Sequence, residues 1–192
     1  HALLSFSIVF SVYLIVKYHR RSVKMRKILI ALFVLAFVST ASALEVNNDA
    51  PLFSLRDKEG EFFHLSDNVG PKKKGNLKGI ILNFFSSTCA PCKRELPILN
   101  SLTDEFAKKK IKIVIVGYQE DVDKVMEFLE LLKVDKPLIL ADPHGWVGRK
   151  YSVKGLPMTF FIGSDGKIKE IIPGELPDFE KALREKAGKL LK

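Results

Sequence analysis

Cysteine is nearly absent from this chain. Its 192 residues hold two, and both lie in one motif, Cys89-Ala90-Pro91-Cys92. A zinc ribbon needs four ligands, usually from two such pairs, so a single pair excludes it. Histidine is scarce as well: His1, His19, His64 and His144 form no H-x₃₋₅-H pair that would complete a mixed site. Acidic residues are missing from positions 1–43, where Lys17, Arg20, Arg21, Lys24, Arg26 and Lys27 all sit. The net charge of +9 therefore reflects that segment, and the remainder carries 25 basic against 22 acidic side chains. That is an ordinary surface balance. The clusters Lys72–Lys74 and Lys108–Lys110 read as solvated loop and helix-end charge, so no nucleic-acid partner is expected. Internal repeats and low-complexity tracts are absent too.

Long apolar runs are also lacking. From Met25, a Met-Arg-Lys start leads into the apolar run Ile28 to Val38 and then Ser39-Thr40-Ala41-Ser42-Ala43. A charged start, a short apolar core and a small-x-small end make residues 25–43 a secretory signal with cleavage after Ala43. A spanning helix needs about 20 apolar residues, and this run is shorter. The competing reading is an uncleaved anchor extending to Leu44, which would leave the protein membrane-associated. Residues 1–24 are expected to be an over-extended start, with Met25 as the true one. Their alternative is an extra N-terminal anchor, Ala2 to Val16, followed by a basic cytoplasmic loop. Residues 44–192 remain, about 150 in number, enough for one domain with a single core. Apolar content of 47% with 28% charged residues fits a folded globular chain.

Within that domain the apolar pattern alternates between strands and helices. Phe53–Arg56 and Glu61–Leu65 read as short strands joined by a turn closing on Gly60. Ser66–Lys78, with Gly70-Pro71 and three lysines, reads as an exposed loop. Ile80–Phe85 and Ile111–Val116 are continuous apolar runs without alternation, as in strands buried on both faces. Between them, Pro91–Lys109 carries Leu96, Leu99, Leu102 and Phe106 at helical spacing, with Pro97 expected to kink the axis. Asp121–Leu132 is a second helix, Pro137–Leu140 a short strand and His144–Tyr151 a short helix. Pro157–Ile162 and Lys167–Ile172 form a hairpin around Gly163-Ser164-Asp165-Gly166, and Phe179–Leu191 closes the chain as an amphipathic helix. This order predicts an α/β fold whose sheet is parallel with an antiparallel edge.

A lone C-x-x-C at the junction of a buried strand and a helix points to redox chemistry. The alternative is two buried structural thiols. Only the thiolate attacks a disulfide, so the site must lower a cysteine pKa from about 8.5 toward neutrality. A helix N-terminus does so through its unpaired N–H groups and the positive end of its dipole. Cys89, just before the helix, is expected to be the exposed nucleophile, and Cys92, in the first turn, the resolving thiol. Pro91 falls where a missing N–H costs nothing. Glu95, three residues past Cys92, shares its face and is placed to tune the thiols or relay a proton; otherwise it is a first-turn glutamate favouring the dipole. Pro157 heads a strand, and a cis Leu156–Pro157 peptide would free the backbone of Leu156 for an extended substrate.

The run Phe84-Phe85-Ser86-Ser87-Thr88-Cys89-Ala90-Pro91-Cys92-Lys93-Arg94-Glu95-Leu96-Pro97 resembles the active-site segment of the TlpA/ResA-like family of exported thiol–disulfide oxidoreductases. Gly155–Ile162 followed by Asp165–Ile168 is similar to that family's cis-proline strand and hairpin, and Ala50–Ser66 to its added N-terminal strands. Pro137–Tyr151 resembles its inserted strand and helix. The resemblance spans residues 49–191. It implies a thioredoxin-like fold, a central mixed sheet flanked by helices with added N-terminal strands and a central strand-helix insertion. It implies Cys89 as nucleophile, Cys92 as resolving thiol, Glu95 as their tuning carboxylate and Pro157 as the cis-proline. No cofactor beyond the Cys89–Cys92 disulfide is implied. The work implied is reduction of protein disulfides in the periplasm or another extracytoplasmic space, often of apocytochrome c, with electrons from a membrane thiol transporter. Two departures stand out: Thr88 replaces the tryptophan common before the first cysteine, and Asn83 stands where cytoplasmic thioredoxins carry a buried acid. A peroxiredoxin-like peroxidase is the runner-up, but its Pro-x-x-x-Thr-x-x-Cys would need proline and threonine at Leu82 and Ser86. A copper-delivery module on the same fold would use C-x-x-x-C with a histidine, and the spacing here is different.

Overall fold

The computed structural model describes residues 44–191, so the signal-like segment 25–43 and residues 1–24 lie outside the described residues. Among the described residues, seven strands and four α-helices follow in chain order: β1 (Ser54–Arg56), β2 (Phe62–His64), β3 (Gly79–Phe85), α1 (Ala90–Lys108), β4 (Ile111–Tyr118), α2 (Val122–Leu131), β5 (Leu138–Asp142), α3 (Trp146–Lys150), β6 (Met158–Gly163), β7 (Ile168–Pro173) and α4 (Phe179–Ala187). The main sheet has the order β5-β4-β3-β6-β7. β3, β4 and β5 are parallel, and β6 runs antiparallel to both β3 and β7. The final hairpin thus supplies the antiparallel edge expected from the sequence, with β6 between β3 and β7 and its apolar run Thr159–Ile162 buried on both faces.

Each central strand divides its side chains between two cores. Ile81 and Phe85 face α1, α2 and α4 with Leu96, Leu99, Phe106, Val125, Leu129, Phe179 and Leu183. Ile80, Leu82 and Phe84 face the other way, onto Phe53, Phe63, Leu65, Val147, Tyr151 and Phe160. Aromatic rings dominate that second core, with Tyr151 edge-on to Phe160 at 5.0 Å and tilted on Phe84 at 5.5 Å.

The N-terminal stretch closes this second face and reaches both margins of the sheet. Residues 47–50 exchange backbone hydrogen bonds with Gly166 and Ile168 at the start of β7, and Asp57 bridges to Leu140 of the opposite edge strand, β5. β1 and β2 pair antiparallel, as expected, with Gly60 at φ +87° in the turn. The segment expected to be an exposed loop departs from that reading: Leu65–Asp67 is a 3-10 turn, and Val69 is buried under the second core. α1 continues through Pro97, which is on the exposed side of the helix. The last helix is shorter than its periodicity predicts, and residues Gly188–Leu190 continue as a 3-10 turn.

Gly117 marks a close approach between β4 and α2, since a Cβ there would stand 2.1 Å from Val125 Cγ2. Gly117→Ala is expected to lower stability by about 1–3 kcal/mol through overpacking, read from the urea midpoint. An unchanged midpoint would mean that α2 shifts freely to make room.

Candidate functional site

The C-terminal ends of parallel strands are where α/β sheets present their sites. β3 ends at Phe85, the chain turns through Ser86-Ser87-Thr88, and α1 begins at Ala90 with Cys89 as its N-cap. The two cysteines form a disulfide with an S–S distance of 2.07 Å. Cys89 Sγ also accepts the backbone N–H of Cys92 at 3.2 Å, so the sulfur satisfies one of the helix's unpaired first-turn donors. The pair is asymmetric: Cys89 is half-buried, where sequence reasoning expected it exposed, and Cys92 is 1% exposed. Cys89 is less open than expected because it packs against the α1 side of the core.

Glu95 lies one turn beyond Cys92 and is 2% exposed. Neither of its carboxylate oxygens makes a well-formed hydrogen bond. Burial pushes its pKa up to about 7, against a partial lowering by the Leu176 backbone amide; Glu175 adds to the rise and Arg94 opposes it. The cover over Glu95 comes from the segment between β7 and α4, which is fastened to α1 by a two-pronged ion pair. Arg94 Nε and Nη2 donate to Glu175 Oε1 and Oε2 at 2.6 and 2.8 Å. Glu95 is thus a buried carboxyl at the cysteines, not a solvated first-turn glutamate.

Pro157 follows a cis peptide from Leu156 and directly precedes β6. The register pairs Phe84 with Met158, which carries Pro157 to the level of Phe85, at the mouth of the Cys89 turn. Its carbonyl accepts Gly174 N–H at 2.9 Å, whereas among the described residues no hydrogen bond engages the N–H or C=O of Leu156. Thr88 and Leu156 share the wall of an open polar cleft of about 520 Å³, lined also by Gln119, Glu120, Lys124 and Lys154. Asn83 is buried in β3 and donates to Thr159 Oγ1 at 2.9 Å, leaving its Oδ1 without a partner. An amide there cannot titrate, whereas Glu95, one turn past Cys92, can.

One residue of this neighbourhood escaped sequence reasoning. Glu120, just past β4, is 6% exposed and accepts both the N–H of Ser87, at 2.8 Å, and its hydroxyl. Lys124 closes the cluster at 2.8 Å. Burial alone would raise the pKa of Glu120, but Lys124 and the two Ser87 donors outweigh it and hold the carboxyl below its ordinary range. In sequence, Gln119-Glu120-Asp121 looks like any polar turn. Only the parallel pairing of β3 with β4, which brings their ends together, could have singled it out. His144 lies past the end of β5 and packs on Trp146 with ring centroids 5.0 Å apart.

Known proteins resemble this arrangement over most of the domain. The model of the AhpC/TSA family matches residues 46–171. The thiol-disulfide oxidoreductase ResA of Geobacillus thermodenitrificans is 35% identical over 140 residues, covering 73% of this chain and 76% of that protein. ResA of Bacillus subtilis is 32% identical over 136 residues, covering 71% and 72%. Among solved structures, a Chlorobium tepidum protein assigned as the thiol:disulfide interchange protein DsbE superposes with a TM-score of 0.68 at 29% identity, over 78% of this chain and 100% of its own. StoA of Bacillus subtilis gives 0.57 at 26%, over 72% and 97%.

Proposed function

The chain belongs to the AhpC/TSA family, as a thiol–disulfide oxidoreductase of the ResA type, and from that premise we propose that it reduces protein disulfides outside the cytoplasm through Cys89. The observation that carries this reading is the asymmetry of the pair at the start of α1: one sulfur reachable at the N-cap, the other buried behind it. In the reduced protein, the Cys89 thiolate attacks a substrate disulfide, forming a mixed disulfide and releasing one substrate thiolate. Cys92, as thiolate, then attacks Cys89 Sγ. The Cys89–Cys92 bond closes and the second substrate thiolate leaves, so two electrons pass to the substrate. Glu95 is the group suited to take the Cys92 proton, because burial brings its pKa near 7. The free backbone of Leu156, ahead of Pro157, offers an extended substrate a pairing edge beside Cys89.

The signal-like segment 25–43 supports an extracytoplasmic location, in the periplasm or at the membrane if the segment stays attached. Substrates of that compartment include apocytochrome c, whose cysteines must be reduced before haem attachment, and a membrane thiol donor would return the electrons. A peroxidase reading is disfavoured: Leu82, where the motif needs proline, is buried in β3, and Ser86 stands in place of the threonine. Trapping tests the proposal. Full-length Cys92→Ala, expressed in native membranes, is expected to accumulate mixed disulfides through Cys89 that identify both substrate and donor. No adduct at Cys89 above the level of a Cys89→Ala, Cys92→Ala control would end it.

A further inference from the structure

Ser86, Ser87 and Thr88 are the whole link between β3 and Cys89, and one buried carboxylate holds the middle of it. Glu120 takes three donors: the N–H and the hydroxyl of Ser87, and the ammonium of Lys124. Hydrogen bonds to an ionised acceptor are roughly twice as strong as neutral ones. The other side-chain contact in this turn, Ser86 Oγ to Thr88 Oγ1 at 3.2 Å, is neutral and only partly buried. Ser87 therefore has one strong tether, and it reaches across from the neighbouring strand.

We propose that Glu120 is a positioning residue for disulfide exchange, fixing through Ser87 the turn that presents Cys89 to Cys92. This role rests on the proposed function, with Cys89 and Cys92 as the reacting pair. When their S–S bond closes, the two thiols give up two electrons to the substrate disulfide and two protons end on its thiols. A turn held in place keeps Cys89 Sγ at the N-cap in the dithiol as well as in the disulfide, which raises the effective concentration of one sulfur toward the other. This favours the disulfide and makes the dithiol a stronger reductant.

The test is the equilibrium of full-length protein against a dithiothreitol redox buffer. Glu120→Ala is expected to weaken the Cys89–Cys92 disulfide about tenfold, an upward shift of about 30 mV for a two-electron couple. Glu120→Gln, which keeps one acceptor for Ser87, is expected to give roughly half that shift in mV, and Ser87→Ala a smaller one of the same sign. Asn100→Ala is the control. It removes a neutral tether from the middle of α1 to the loop before β5, where its amide binds the N–H groups of Asp135 and Lys136 and the carbonyl of Lys133. It should lower stability and leave the potential unchanged. If Glu120→Ala does not fold, Glu120→Gln and Ser87→Ala still decide the question. Potentials equal to wild type in both overturn the proposal, as does an equal shift in Asn100→Ala. A wild-type disulfide that does not titrate ends the assignment of the reacting pair as well.

Discussion

Cys89→Ser is expected to reduce turnover of a model disulfide by at least about a thousandfold, because a serine hydroxyl at neutral pH supplies almost no nucleophile in place of a thiolate. Cys92→Ser is expected to differ in kind. It keeps the first step, so a stoichiometric mixed disulfide forms on Cys89, but turnover stops there. The contrast follows from burial: Cys89 is half-open at the N-cap while Cys92 lies 1% exposed beneath the helix start. The check is a single-turnover assay followed by mass spectrometry of the adduct. Cys89→Ser activity within a factor of two of wild type would transfer the nucleophile's role to Cys92.

Glu95→Gln is expected to change how both activity and stability respond to pH. The carboxyl is held protonated by burial up to about pH 7, against an ordinary value of 4.5. Below 4.5 the folded and unfolded chains both carry the proton. Between 4.5 and 7 only the folded chain keeps it, so folding takes up a proton and stability falls as pH rises through this window. Above it the loss is complete. Glutamine never pays this penalty. Its stability relative to wild type should therefore be greater at pH 8 than at pH 4, by on the order of 2 kcal/mol after allowance for solvent screening. Urea midpoints of the oxidised proteins at the two pH values measure this. The same substitution should remove the limb of the exchange-rate profile centred near pH 7. A pH-independent stability difference with an unaltered rate profile would return Glu95 to the helix-dipole role.

Most of the fold was legible because its signals are local. The unbroken runs Ile80–Phe85 and Ile111–Val116 announce strands covered on both faces, and the Gly163–Gly166 turn sets the final hairpin. The cysteine motif and Pro157 were legible for the same reason, as short patterns with one demanding geometry. What stayed hidden depends on pairing between distant segments. The internal position of β6 depends on whether it or β7 reaches β3 first, which its own composition does not state. Val69 looks like a loop residue until the second core is assembled over it. Glu120 is the sharpest case, since its meaning comes from Ser87, 33 positions away. The depth of Glu95 likewise arises from the Leu176 segment and the Arg94–Glu175 clasp, not from its place on the helix.

The N-terminal stretch gives the sheet a consequence for selectivity. Extended polypeptides join a protein most readily at a strand rim with spare N–H and C=O groups. Here the chain spends its own backbone on both rims, residues 47–50 at β7 and Asp57 at β5. These contacts take up the first residue of β7 and the middle of β5, so a visiting extended chain cannot pair along the full length of either rim. Among the described residues the amide and carbonyl of Leu156 are unengaged beside the disulfide, where a chain that paired there would bring its own cysteines close to Cys89.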